Sequence, residues 1–268
     1  MSPAEITSTA NPRIKSAVGL RERRDREERG LALVDGAREI GRAIAAGIEI
    51  VELYVASELA TSSEARTALA AARAAQVEIT TVSPAVLARL AFGDRSDGLV
   101  ATIRTPSMSL DRLTLPPLPL VAVAEAIEKP GNLGAILRSA DGAGVDALIA
   151  ADPRTDLFNP NAIRASLGTI FSVPVAEATS AETIGWLTAR GISIVVARVE
   201  GSVSYDQVDY RGPVAIVLGS EADGLAAAWD APGIQAVHLP MLGIADSLNV
   251  SAAAAILFYE ARRQRDGA

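Results

Sequence analysis

The chain has 268 residues, 49% of them apolar, and a formal net charge of −7. That length supports one large or two modest domains with full cores. No apolar run approaches the ~20 residues of a bilayer-spanning helix, and the N-terminus lacks the basic-then-apolar pattern of a secretory signal, so a cytoplasmic protein is expected.

The absence of cysteine excludes disulfides, thiolate nucleophiles and thiolate-held zinc or iron–sulfur sites. One histidine, His238, leaves no multi-histidine metal site and argues against Ser–His catalysis. His238 lies inside an apolar strand pattern and reads as structural. Chemistry must rest on carboxylates, amides, hydroxyls, arginine or a bound cofactor, and no metal is expected.

Residues 1–29 form a locally basic arm on an acidic chain. Arg21, Arg23, Arg24, Arg26 and Arg29 alternate with Glu22, Asp25, Glu27 and Glu28. Two readings stay open: an RNA-contacting arm, or a solvated helix with ion pairs four residues apart. Lysine occurs only at positions 15 and 129, a bias toward arginine that reflects composition more than function.

A compact α/β domain is expected over 30–104. Strands are read at 31–34, 50–55, 77–82 and 99–103. Helices are read at 36–46, 65–75 and 84–90, the last opened by Pro84. Residues 105–119 carry Pro106, Pro116, Pro117 and Pro119 and read as a stiff linker. From 120 onward come near-continuous apolar runs at 120–126, 147–151, 192–199, 214–218 and 236–239. Helical segments at 132–142, 181–190 and 250–265 alternate with them. Strands apolar on both faces belong to parallel sheets covered by helices, so 120–268 reads as a doubly wound α/β domain.

Three segments at strand ends carry the chemistry. In Glu128-Lys-Pro-Gly-Asn-Leu-Gly-Ala-Ile-Leu-Arg138, Asn132 can cap the helix that carries Arg138. It has neither the Gly-Lys-Ser/Thr ending of a phosphate loop nor a Gly-x-Gly-x-x-Gly dinucleotide fingerprint. In Leu218-Gly-Ser-Glu-Ala-Asp-Gly-Leu225, Gly219 lets a flat ligand approach the backbone, and Glu221 is oddly placed for mere solubility. In Leu239-Pro-Met-Leu-Gly-Ile-Ala-Asp-Ser-Leu-Asn249, Ser247 and Asn249 meet the start of an Ala-rich helix. Ligands of open α/β sheets bind at such carboxyl strand ends.

Together and in this order, the three segments resemble the SpoU (TrmH-like) RNA 2′-O-ribose methyltransferases of the SPOUT superfamily. The resemblance covers the whole second domain. The first domain is similar in size and pattern to the L30e-like substrate-binding domain of rRNA-directed members, including thiostrepton-resistance enzymes. The resemblance implies a trefoil-knotted C-terminal domain, a homodimer, and S-adenosylmethionine as cofactor, held near Ala197, Leu218, Gly219, Leu239, Met241 and Leu248. It assigns catalytic roles to Arg138, Asn132, Glu221, Ser247 and Asn249, and RNA binding to Arg164; the chain's acidity leaves further RNA affinity to local patches such as the arm residues Arg21, Arg23, Arg24 and Arg26. The family gives Arg138 the role of base. Because arginine stays protonated in proteins, a bidentate clamp on phosphate is the physically preferred role. The implied substrate is 23S rRNA. The alternatives are tRNA, a catalytically silent RNA-binding protein of the same scaffold, and a nucleotide-dependent oxidoreductase.

Overall fold

A computed structural model describes residues 5–92 and 97–267, so the parts of the sequence reading that fall on 1–4, 93–96 and 268 lie outside it. The chain divides into two units, residues 1–106 with 158–172, and 107–157 with 173–268.

The first unit holds α1 (Pro12–Gly19), α2 (Arg23–Arg29), β1 (Leu31–Asp35), α3 (Ala37–Ala45), β2 (Ile50–Val55), α4 (Ser63–Ala74), β3 (Ile79–Thr81), α5 (Pro84–Leu90) and β4 (Leu99–Arg104). Its sheet has the order β1-β4-β2-β3. β4 runs antiparallel to both neighbours and β3 parallel to β2. Ile14, Ala17 and Leu20 of the N-terminal segment pack with Leu33, Tyr54, Val86, Leu87 and Val100 in one buried cluster. Within residues 5–29, α1 and the turn after it are therefore packed into this domain's core and do not form a free arm. Asn11 accepts the Arg13 N–H, and Pro12 opens the helix at its first position, a local start signal legible in the sequence.

The second unit adds β5 (Leu120–Glu125), α6 (Pro130–Ala143) and β6 (Ala147–Ala151). The chain then gives α7 (Pro160–Ala165) to the first unit, where it packs against β1. It resumes with β7 (Val175–Ala178), α8 (Ser180–Ala189), β8 (Ser193–Ala197), β9 (Val203–Ser204), β10 (Val214–Leu218), β11 (Ile234–His238) and α9 (Val250–Asp266). All seven strands pair in parallel, in the order β7-β6-β5-β10-β8-β11-β9. Each strand of β5, β6 and β10 is buried on both faces, as its unbroken apolar run requires. Val121, Val123, Val196 and Val217 pack under Trp186, Leu187 and Trp229.

α6 and α9 lie against each other, and Gly142 allows close approach, since a Cβ there would come within 2.9 Å of the Tyr259 hydroxyl. The C-terminal end of α9 is fastened by one guanidinium. Arg265 donates to the carbonyls of Leu118, Pro119, Tyr210 and Gly212 at 2.7–3.1 Å, and burial pushes its guanidinium down from the usual arginine range. It thereby ties the proline-rich entry segment and the loop before β10 to one helix. Arg265→Ala leaves four carbonyls without their donor and is expected to cost about 2–3 kcal/mol in denaturant unfolding.

Candidate functional site

A crevice of about 840 Å³ opens at the carboxyl ends of β8, β10 and β11. Its walls include all six positions expected to hold the cofactor: Ala197, Leu218, Gly219, Leu239, Met241 and Leu248. Leu257 and Ala253 of α9 floor it, and Glu221, Asp246, Ser247 and Asn249 edge it. The size and mixed lining suit a nucleoside-sized ligand.

The polar edge is built around one carboxylate. Glu221 Oε1 accepts from Asn132 Nδ2 at 2.8 Å and from Asn249 Nδ2 at 2.6 Å. Glu221 Oε2 stands 3.1 Å from Lys129 Nζ. Asn249 Nδ2 also reaches Asn132 Oδ1 at 3.3 Å. Asn249 is the N-cap of α9, its Oδ1 accepting from the Ser251 N–H at 3.0 Å, so its free amide nitrogen is turned back toward Glu221. Asn132 is not a cap. α6 starts at Pro130 with Lys129 at the cap position, because the ring of Pro130 needs no hydrogen-bond partner at N1. Asn132 therefore sits within the first turn and turns its amide to Glu221.

Gly219 also answers to a constraint within the chain. A Cβ there would come within 2.6 Å of the Gly224 backbone. The missing side chain lets residues 220–224 fold back as a hairpin, with Ser220 and Gly224 exchanging 3.1 Å backbone hydrogen bonds and Gly224 at φ +66°. Glu221 rides on that hairpin and not on a helix. His238 Nδ1 stands 2.8 Å from the Gly201 carbonyl, which joins the end of β11 to the loop after β8, and the residue also lines the crevice. Ser247 is exposed at the crevice edge, beside Asp246.

Arg138 departs from the expected constellation. It lies on α6, exposed, and does not line the crevice of its own chain. Among the described residues it makes no hydrogen bond or ion pair.

Of the expected RNA-binding arginines of the first unit, Arg21, Arg26 and Arg164 meet partners within the fold, while Arg23 and Arg24 stay at the surface in ion pairs. Arg26 is 4% exposed and donates to the Leu20 and Arg21 carbonyls at the end of α1. Arg21 caps the end of α5 through the Arg89 and Ala91 carbonyls and stacks on Phe92. Arg23 and Arg24 pair with Glu27 and Glu28 at 2.6 Å, four residues on. The arm is thus a folded helix pair whose charges are spent on carbonyls and neighbouring carboxylates. Arg164 likewise donates to Asp35 Oδ2 at 3.0 Å and to the Phe92 carbonyl, fixing α7 within the first unit.

Sequence reasoning missed Lys129, Arg154 and Glu125. Arg154 pairs with Glu128 and, at 2.9 Å, with Asp223. Glu125 is buried at the end of β5, where burial pushes its carboxyl up. Both Arg154 and Glu125 lie at or just past the carboxyl ends of parallel strands, the one sequence signal that could have found them. Among the described residues no group of three or more potential ligands is placed to hold a metal ion, and no helix is long and apolar enough to cross a membrane.

Comparison with known proteins now adds to this geometry. Residues 119–259 match the SpoU rRNA methylase family. The chain belongs to that family. Residues 11–101 of this SpoU chain match an MRM3-like substrate-binding domain. The chain is 32% identical to the 23S rRNA (uridine(2479)-2′-O)-methyltransferase of Streptomyces viridochromogenes, over 92% of this chain and 87% of that one. It is also similar to the crystal structure of an RNA 2′-O ribose methyltransferase, at 42% identity and TM-score 0.85, covering 98% of this chain and 99% of that one. The SpoU methyltransferase AviRb of S. viridochromogenes in complex with AdoMet matches at 31% identity and TM-score 0.88, covering 96% and 98%.

Asp35 gives the Arg164 contact a measurable signature. Burial pushes its carboxyl up to about 6 from 3.8, against the pull of Phe92 and Arg164. The folded state therefore holds the proton more tightly than the unfolded chain. Its contribution is full below pH ~4 and lost as pH rises through ~6, a fall of about 2–3 kcal/mol. Urea unfolding from pH 4 to pH 7 should show that decline in the parent chain, and Asp35→Asn should remove it.

Proposed function

We propose that this SpoU methyltransferase transfers the methyl group of S-adenosylmethionine to a ribose 2′-hydroxyl of 23S rRNA, with Asn132, Arg138, Glu221, Ser247 and Asn249 as its working residues. The enzyme class and the cofactor are those of its family. The observation that carries the site reading is the convergence of six expected cofactor positions on one crevice, edged by a carboxylate that two expected asparagines share. The relatives' activity on 23S rRNA supports the substrate. An rRNA substrate supports the cytoplasm as the place where it acts.

S-adenosylmethionine supplies an electrophilic methyl on a sulfonium. The crevice fits it: an apolar floor from Leu218, Leu257 and Ala253 suits a purine, and open backbone around Gly219 and Leu239 offers amide and carbonyl groups. The protein's own part is position and charge. Glu221 locks Asn132 and Asn249, which holds the starts of α6 and α9 together at the crevice edge. Arg138 holds an RNA phosphate with its planar fork and stays protonated, so the hydroxyl proton leaves late, to water or phosphate.

Arg138 lies outside its own chain's crevice, and this supports a homodimer in which each site takes Arg138 from the partner. Apolar groups left uncovered support the same reading: Leu242 and Ile244 are fully exposed, and Tyr259 of α9 is 53% exposed. The family's knot belongs to this proposal too. β11 lies two strands beyond β10, while α9 packs on α6 and β10, so residues 239–249 must recross the sheet's carboxyl end.

Incubation with labelled cofactor and either 23S rRNA or tRNA should give an alkali-resistant labelled dinucleotide from rRNA; its absence from rRNA sinks the proposal. Arg138→Ala should lower kcat by about 10²–10³-fold with cofactor affinity unchanged by calorimetry. Co-expressed Arg138→Ala and Glu221→Ala chains should regain activity, because a mixed dimer has one site with both residues. Failure to complement would place Arg138 in its own chain's site.

A further inference from the structure

We infer that Arg154 is a positioning residue for methyl transfer: by bridging Glu128 and Asp223 it sets the Ser220–Gly224 hairpin so that Glu221 meets its two asparagines. The inference rests on the functional reading above and names a residue that makes none of its expected contacts.

Apart from the bonds and the ion pair of Glu221 itself, little holds the hairpin. Residues 221–224 are exposed, and its backbone bonds are internal, between Ser220 and Gly224. The Asp223 N–H donates to Ser220 Oγ at 3.0 Å, a bond that also stays within the turn. Buried Ser220 and Leu225 anchor its base, but no apolar side chain fixes the tip. Side-chain ties must set its direction.

Those ties cross between the loops after two neighbouring strands, β5 and β10. The loops bring together three carboxylates, Glu128, Glu221 and Asp223. Left alone, these repel and push the hairpin away from the start of α6. Two cations offset this. Lys129 meets Glu221 at 3.1 Å, and Arg154 meets Glu128 with one nitrogen and Asp223 with the other, the latter at 2.9 Å. Lys129 ties the loop after β5 straight to Glu221, whereas Arg154 stands on the loop after β6 and joins one carboxylate of each loop, because a guanidinium presents two arms in a fixed fork and an ammonium is a point charge. A hollow of about 180 Å³ lies where the two straps meet, lined by Glu128, Lys129, Asn132 and Glu221. Displacing the hairpin would open this hollow and part Glu221 from the asparagines.

These pairs are half exposed, with side-chain exposures of 48%, 49% and 64% for Arg154, Glu128 and Asp223. Exposed ion pairs add little to global stability. The effect of Arg154 is therefore local and should separate from folding.

The test uses the full chain. Arg154→Ala and Arg154→Lys should each lower kcat/KM on 23S rRNA about tenfold with the unfolding temperature unchanged, lysine failing because it lacks the fork. In a Glu221→Gln background, Arg154→Ala should cost nothing more, since it acts through that carboxylate. Hydrogen exchange of the 220–224 amides, which needs no activity, should quicken in Arg154→Ala. An equal loss in the Glu221→Gln background, a lowered unfolding temperature, or unchanged exchange overturns the inference. A parent chain that methylates no rRNA overturns the functional reading instead, and the exchange result then decides the inference alone.

Discussion

One carboxylate organises the catalytic unit. Glu221 accepts from two asparagine amides that lie 89 and 28 residues away in the chain. Each partner has a second duty. Asn249 caps the last helix, and Asn132 sits in the first turn of α6. The shared carboxylate therefore couples two helix starts and one hairpin, and the crevice exists because these three ends are held in register. A charge-assisted acceptor does this better than a neutral one, since each bond to an ionised oxygen is shorter and stronger.

The first unit follows a different logic. Its arginines face inward to carbonyls or along helices to carboxylates. Arg26 and Arg21 close helix ends that would otherwise leave carbonyls bare, and Arg164 joins a distant helix to Asp35. On an acidic chain, such interior use of arginine is economical: the same side chain brings several donors and needs only one acidic partner or none.

Much of this was legible in the residues. The parallel strands were readable because runs such as Val214–Leu218 and Ala147–Ala151 are apolar at every position, and only a sheet covered on both faces tolerates that. The crevice walls were readable because small and polar residues cluster at the strand ends around Gly219, Leu239 and Ser247. The arm stayed open between two readings because charge spacing is the same for a solvated RNA-binding helix and for a packed one; the difference lies in Ile14, Ala17 and Leu20, which face a core that sequence does not display. Gly219 was rightly singled out, but the neighbour it accommodates is the chain's own Gly224. Arg154 was invisible because a bridge between two loops depends on which strands are adjacent, and strand order is not written in local pattern. The short α7 escaped for a similar reason: six residues give too little periodicity to be seen.

The donation of α7 to the first unit has a consequence for how the molecule is made. Asp35 and Arg164 are 129 residues apart, and the segment that completes the N-terminal sheet emerges from the ribosome only after β5, α6 and β6. The N-terminal fold therefore waits, with β1 lacking its α7 contact, while about a third of the other unit is being synthesised. A contact of such long range slows the search for the native state. It also means that a cut in the proline-rich segment leaves the N-terminal unit without α7, the helix that packs against β1.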